Sequence, residues 1–176
     1  RHGDNLAQAR NLGVGDNWKF PGLGLHLVFL DADDRLCNGY CDILRDAIEA
    51  EENGSGANIL YQPQTIAWLG DDKYEGEPNF IPDRDMNISN NLVIGTGLSM
   101  DHWIEFDPAL PALEDWDFFL RMISLGAKVK QVPGMIYEVG VSNPNPRNAP
   151  GQNQNQAYQA IRNKNIRVSN YLWESK

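Results

Sequence analysis

Long hydrophobic runs are missing from this 176-residue chain. No apolar stretch approaches the roughly 18 to 20 residues that span a bilayer. The opening Arg1-His2-Gly3-Asp4 lacks the apolar core of a secretory signal. The chain also opens without Met, and a fragment boundary is expected there. Positive charge is scarce, with 15 Lys and Arg against 24 Asp and Glu, a net charge of −9. Nucleic-acid affinity rests mainly on Lys and Arg, so neither a chain-wide phosphate-binding surface nor a nucleic-acid partner is expected. Cysteine is limited to Cys37 and Cys41. Their C-x-x-x-C spacing is neither a redox C-x-x-C nor half of a paired zinc site. They read as ordinary thiols, which fits a reducing cytoplasm.

What is present is a chain with 41% apolar residues, ordinary for a folded domain. At roughly 150 residues per domain its length predicts one domain. Residues 4–14 read as a helix capped by Asp4 or Asn5, with Leu6, Ala9, Leu12 and Gly13 along one side. The loop at 15–24 is punctuated by Gly and Pro. Leu25–Leu30 is a short apolar run whose length and composition predict a buried strand. A helix over 38–52 would bury Ile43, Leu44, Ala47 and Ile48 and leave Glu49, Glu51 and Glu52 in water.

Residues 58–69 read as a strand, with Pro63 marking an edge or a bulge. A long polar loop is expected over 70–91 and a further strand over 92–101. From Glu114 to Leu125 the wheel places Trp116, Phe119, Leu120 and Ile123 within about 100° of one another, with Glu114, Asp117 and Arg121 opposite. Gly126 is the expected left-handed C-cap. Two strands, 128–132 and 135–141, are expected around Pro133-Gly134. A low-complexity polar stretch follows at 142–156, and then a terminal helix over 157–173 using Ile161, Val168, Leu172 and Trp173. The division is a core over 1–141 and a polar linker with a helix over 142–176.

The residues richest in chemistry are Asp31-Ala32-Asp33-Asp34 at the end of the apolar run. In open α/β sheets, ligands bind beyond the carboxyl ends of strands. Adjacent carboxylates repel, and a hard divalent ion resolves the repulsion while bridging to a diphosphate. An acidic turn with no ligand is the competing reading. The pattern is not an EF-hand, because Arg35 and Leu36 stand where an oxygen ligand and Gly are needed. A second acidic group, Glu114-Asp115-Trp116-Asp117, opens the predicted helix. Capping and the helix dipole explain acids there, and Asp117 with Arg121 makes an i,i+4 pair. Asp115 lies at the border of the apolar stripe, about 90° from its centre, from which it could reach a cleft.

Taken in order, Ala9-Arg10-Asn11-Leu12-Gly13-Val14, Phe29-Leu30-Asp31-Ala32-Asp33-Asp34, Phe106-Asp107 and Glu114-Asp115-Trp116-Asp117, followed by Arg121, Gly126 and Lys128, resemble the family 2 glycosyltransferases, inverting enzymes of GT-A fold. The matching residues span roughly 6–140. The resemblance implies an α/β fold, a partial GT-A (Rossmann-like) mixed sheet flanked by helices. It implies Asp31 and Asp33 as the D-x-D, with Asp33 on a Mn²⁺ or Mg²⁺ ion and Asp31 at the ribose or the metal. It implies Asp115 as the general base, Glu114 as the residue that places the acceptor or Asp115, and Arg10 and Asn11 near the nucleotide. The implied partners are a nucleotide-sugar donor of UDP type and an acceptor hydroxyl.

The chain departs from the family in three places. The usual N-terminal nucleotide-binding half is missing, so self-association or a companion chain is expected. The loop at 15–24 is longer than usual. No His follows Tyr137, and His102 and Trp103 read as turn and packing residues. Two alternatives stand beside this reading. One is a non-catalytic carbohydrate-binding or structural remnant of the same fold. The other is a haloacid-dehalogenase-like phosphatase, for which Gly70-Asp71-Asp72 would be the late acidic motif. Against that phosphatase, Arg35 replaces the expected small residue, and the spacing from Asp33 to Asp71 is short.

Overall fold

A computed structural model describes residues 6–15, 26–52, 58–68, 74–80, 95–99, 104–140 and 152–164. In chain order these form α1 (Leu6–Val14), β1 (Arg35–Leu36), α2 (Tyr40–Glu52), β2 (Ile59–Trp68) and β3 (Tyr74–Asn79). They continue as β4 (Gly97–Ser99), α3 (Glu114–Ser124), β5 (Lys128–Gly140) and α4 (Gln152–Lys164). The protein is mixed α/β, with a mixed parallel and antiparallel sheet flanked by helices. Among the described residues no helix is long and apolar enough to cross a membrane.

The sheet is built around β2. It runs parallel to β5 along one edge, while its other edge pairs antiparallel with β4 at Ile59–Tyr61 and with β3 at Thr65–Trp68. β1 closes the far side, antiparallel to β5. Side chains alternate across β2. Ile59 and Tyr61 join Tyr40, Leu44, Ile48, Val132 and Met135 beneath α2, whereas Leu60 joins Leu98, Phe106, Phe118, Phe119 and Met122 beneath α1 and α3. Each fully buried side chain of this size contributes about 1.5–3 kcal/mol. Segment 26–30 attaches to β4 by a single antiparallel bridge, in which Leu27 and Leu98 exchange N–H···O bonds of 3.1 and 2.8 Å. Its parity follows the sheet, with Val28 on the α2 side and Leu27 and Phe29 on the α3 side.

Several sequence expectations need correction. Pro63 marks a bulge, as expected, but in the central strand and not at an edge; the register with β5 shifts between Gln62 and Gln64. Gln64 repairs the gap by accepting the Gly134 N–H at 2.7 Å and donating to Pro78 O at 3.2 Å. Pro133-Gly134 therefore makes a bulge and not a strand break, and 128–140 is one strand with extra residues accommodated opposite Pro63. Part of the expected loop over 70–91 is β3, because antiparallel pairing to β2 satisfies its backbone despite a turn-rich sequence. Helix α1 buries Ala7, Arg10 and Val14, while Leu6 and Leu12 are exposed. α4 starts earlier than expected, at Gln152, and buries Ala157 and Ile161 against Leu110, Trp116 and Leu120. Val168, Leu172 and Trp173 lie outside the described residues. In α2, Leu44 and Ile48 are buried as expected and Ile43 and Ala47 partly so, but Glu51 is half-buried and pairs with Lys130 at 2.5 Å; the Gly126 C-cap (φ +95°) is as expected.

Candidate functional site

α1, the turn that starts at Asp31 and the start of α3 meet at one buried guanidinium. Helix α1 points Arg10 inward, where Nη2 donates to Asp31 Oδ1 at 3.0 Å and Nη1 donates to Glu114 Oε1 at 2.5 Å. The same guanidinium lies 5.4 Å from the centre of the Phe106 ring. A buried cation is tolerated only when paired and hydrogen-bonded, and Asp31 and Glu114 meet that requirement. Asn11, the next residue, locks the neighbouring strap. Its Nδ2 donates to Phe106 O and its Oδ1 accepts the Phe106 N–H, both at 2.8 Å. The polar groups of Arg10 and Asn11 are thus engaged by the protein itself.

Helix α3 begins after Leu113, which adopts a left-handed conformation at φ 60° and supplies no side-chain cap. That conformation costs a non-glycine residue of order 1–3 kcal/mol, and the chain leaves it with Glu114 turned onto Arg10. Asp115 is half-buried, and its Oδ1 accepts the Trp116 N–H at 2.8 Å. Burial, and then the adjacent Glu114 charge, push the Asp115 carboxyl up to about 6, against the opposing pull of the Trp116 N–H and of Arg10. Asp115 therefore shares the electrostatic surroundings of Arg10, to which Asp31 is paired. A carboxyl with this value is mostly ionised at neutral pH and more basic than an ordinary aspartate, which suits a proton acceptor.

The Asp31–Asp34 turn closes by an Asp34 N–H bond to Asp31 O at 3.1 Å. The side chain of Asp31 is 38% exposed, and Asp33 is exposed. Asp34 differs, because one oxygen accepts the Tyr137 hydroxyl and the other accepts the Gly140 N–H at 2.8 Å. Burial raises the Asp34 carboxyl, opposed by those two bonds and reinforced by Asp31 and Asp33. Among the described residues no group of three or more His, Cys, Asp or Glu is arranged to hold a metal ion. In donor chemistry Asp31 and Asp33 suit an ion such as Mg²⁺, which takes one or two carboxylates and completes its shell with water and substrate phosphate, although Asp31 also holds Arg10 at 3.0 Å. They do not fit an all-protein cage.

Asp117 is a correction. It faces inward at 0% exposure, bonded to Arg121 at 2.7 Å as the i,i+4 spacing predicts, and also to Lys164 at 3.2 Å because α4 covers it. Lys164 also pairs with Asp107 at 2.7 Å, and this bond draws the Asp107 carboxyl below its usual value. Trp116 stacks on Tyr158 of α4 at 5.1 Å. No local sequence pattern marks Tyr137, Gly140 or Lys164. The third acid of Asp31-Ala32-Asp33-Asp34 was the only local signal for the Tyr137 contact. His102, Trp103 and Gly70-Asp71-Asp72 lie outside the described residues.

A cavity of about 610 Å³ opens between segment 26–30 and α2, lined by Val28, Leu30, Leu44 and Ile48 among others. None of Arg10, Asn11, Asp31, Asp33, Glu114 or Asp115 lines it. Comparison of the chain with protein-family models and with curated proteins finds no match.

Proposed function

We propose that the chain is the acceptor-side and metal-binding portion of an inverting, metal-dependent glycosyltransferase with a GT-A (Rossmann-like) fold, as its family 2 motifs imply. The observation that supports this reading is Arg10, whose two terminal nitrogens join Asp31 of one acidic motif to Glu114 of the other. That shared arginine holds the acidic turn and the start of α3 at one place in the fold, as a common site requires. In this reading Asp115 accepts the proton of an acceptor hydroxyl as that oxygen bonds to the anomeric carbon of a nucleotide sugar. The bond from that carbon to the diphosphate oxygen breaks on the opposite face, and the configuration inverts. Asp31 and Asp33 would hold a Mn²⁺ or Mg²⁺ ion, whose chemistry would be charge neutralisation at the diphosphate. Glu114, fixed by Arg10, holds Asp115 in place and raises its basicity.

The test is calorimetric titration of Mn²⁺ with and without UDP. Mn²⁺ binding that strengthens with UDP and is lost in Asp33→Ala supports the reading. Nucleotide affinity unchanged in that variant overturns the metal assignment. A non-catalytic carbohydrate-binding remnant is the second reading. Its favouring observation is that Arg10 and Asn11 spend their polar groups on the protein. Sugar binding without metal-dependent transfer would select it.

A further inference from the structure

Asp34 and Tyr137 stand 103 positions apart and meet beneath the turn that carries Asp31 and Asp33. Tyr137 is fully buried in β5 and donates its hydroxyl to Asp34. The other Asp34 oxygen takes the N–H of Gly140, three residues further along the same strand, at 2.8 Å. The approach is close, since a Cβ built on Gly140 would lie 2.0 Å from the Asp33 carbonyl oxygen. Beyond the turn, β1 continues the attachment, with Arg35 opposite Glu138, Leu36 opposite Tyr137, and the Cys37 N–H bonded to Ile136 O at 3.1 Å. One side of the turn is therefore clamped to β5 while Asp33 stays exposed.

We propose that Asp34 and Tyr137 are a positioning pair that fixes the aim of Asp31 and Asp33 toward a divalent cation; this rests on the metal-dependent reading above. In this arrangement Asp34 is turned to β5, each of its oxygens holding a protein donor, and not to the ion. Its work is to convert a flexible acidic turn, in which neighbouring carboxylates would splay apart, into one fixed pair. Groups that orient metal ligands without touching the ion commonly contribute 10–100-fold to metal affinity. The hydroxyl of Tyr137 is the cleanest part of the clamp to remove, since the ring stays to fill its site.

The test is Mn²⁺ binding by calorimetry on the full chain, with thermal unfolding measured on the same samples. Tyr137→Phe is expected to weaken Mn²⁺ binding by at least tenfold while the chain stays folded. Gly140→Ala, which pushes on the Asp33 carbonyl, is expected to weaken it as well, so the conclusion does not depend on one variant folding. Asp33→Asn serves as the direct-ligand comparison. If Asp33→Asn abolishes binding while Tyr137→Phe and Gly140→Ala bind Mn²⁺ like the unaltered chain, even with lowered unfolding temperatures, the pair is merely structural and the proposal is overturned. If the unaltered chain does not bind Mn²⁺, the metal-dependent reading and this proposal fall together.

Discussion

Arg10 and Glu114, 104 positions apart, are joined by a buried Nη1···Oε1 contact of 2.5 Å. The second arm of Arg10 reaches Asp31 at 3.0 Å, so a single side chain ties α1 to the acidic turn and to the start of α3. Removing one member of a buried ion pair costs about 3–5 kcal/mol, because the survivor keeps its charge out of water. Asp31 is partly exposed and can rehydrate, which places the expected loss for Arg10→Met at about 3 kcal/mol. Chemical denaturation checks this. Adding Glu114→Gln should recover part of the loss, and a loss below about 1 kcal/mol would mean that the centre is already hydrated.

The raised carboxyl of Asp115 gives opposite expectations for stability and activity. Its value rises from 3.8 to about 6 on folding. The neutral acid is therefore the form that folding favours. Its stabilising contribution is fully present below about 3.8 and is lost as pH rises through about 6. Asp115→Asn should stabilise the chain by about 1–3 kcal/mol at pH 8, and this gain should vanish by about pH 4. If the proposed transferase reading holds, the same variant should abolish transfer, and transfer by the unaltered chain should fall as pH drops through about 6. Unfolding curves across pH, with transfer rates, would check both expectations.

Lys164 is the charged latch of α4, bonded to Asp107 at 2.7 Å and to the fully buried Asp117 at 3.2 Å. Lys164→Met leaves Asp117 with Arg121 at 2.7 Å, so that carboxylate is not orphaned. Lys164 is 40% exposed and its interactions are screened, which limits the expected loss to about 1 kcal/mol. The difference between variant and unaltered chain should shrink in high salt. A difference independent of salt would mean that the methylene stem of Lys164, and not its charge, holds α4.

The elements that local pattern settles were legible in the sequence. The apolar spacing of Trp116, Phe119 and Leu120 specified α3, and Leu44 and Ile48 specified α2. What escaped was set by distant partners. Arg10 is buried because two carboxylates from remote segments neutralise it, so a hydropathy wheel of α1 chose Leu6 and Leu12 for the interior instead. Asp117 looked solvated until α4 supplied Lys164. Pro133-Gly134 carries the chemistry of a turn, but here it is a bulge whose open N–H is taken by Gln64 from the neighbouring strand. Within the candidate site the acidic motifs themselves were legible. That Asp34 faces Tyr137 and Gly140, unlike Asp31 and Asp33, follows only from the return of β5 beside β1.

Gly95 and Gly13 offer a paired test of how tightly the ground beneath the acidic turn is packed. A Cβ built on Gly95 would lie 2.0–2.5 Å from three ring atoms of Tyr137. That ring is fully buried, and its hydroxyl is tied to Asp34, so it has little freedom to give way. Overpacking of this kind costs about 1–3 kcal/mol, and Gly95→Ala should lose at least that much. Because the strain falls on Tyr137, the same variant should also weaken the proposed Mn²⁺ binding. Gly13, inside α1, meets nothing within 4 Å at its Cβ position. Gly13→Ala should therefore gain about 0.5–1 kcal/mol from the better helix former and leave Mn²⁺ binding alone. Thermal unfolding and calorimetry of the two variants decide the matter. Equal stability of Gly95→Ala and Gly13→Ala would show that the Tyr137 ring can move, and the clamp on the acidic turn would then be loose.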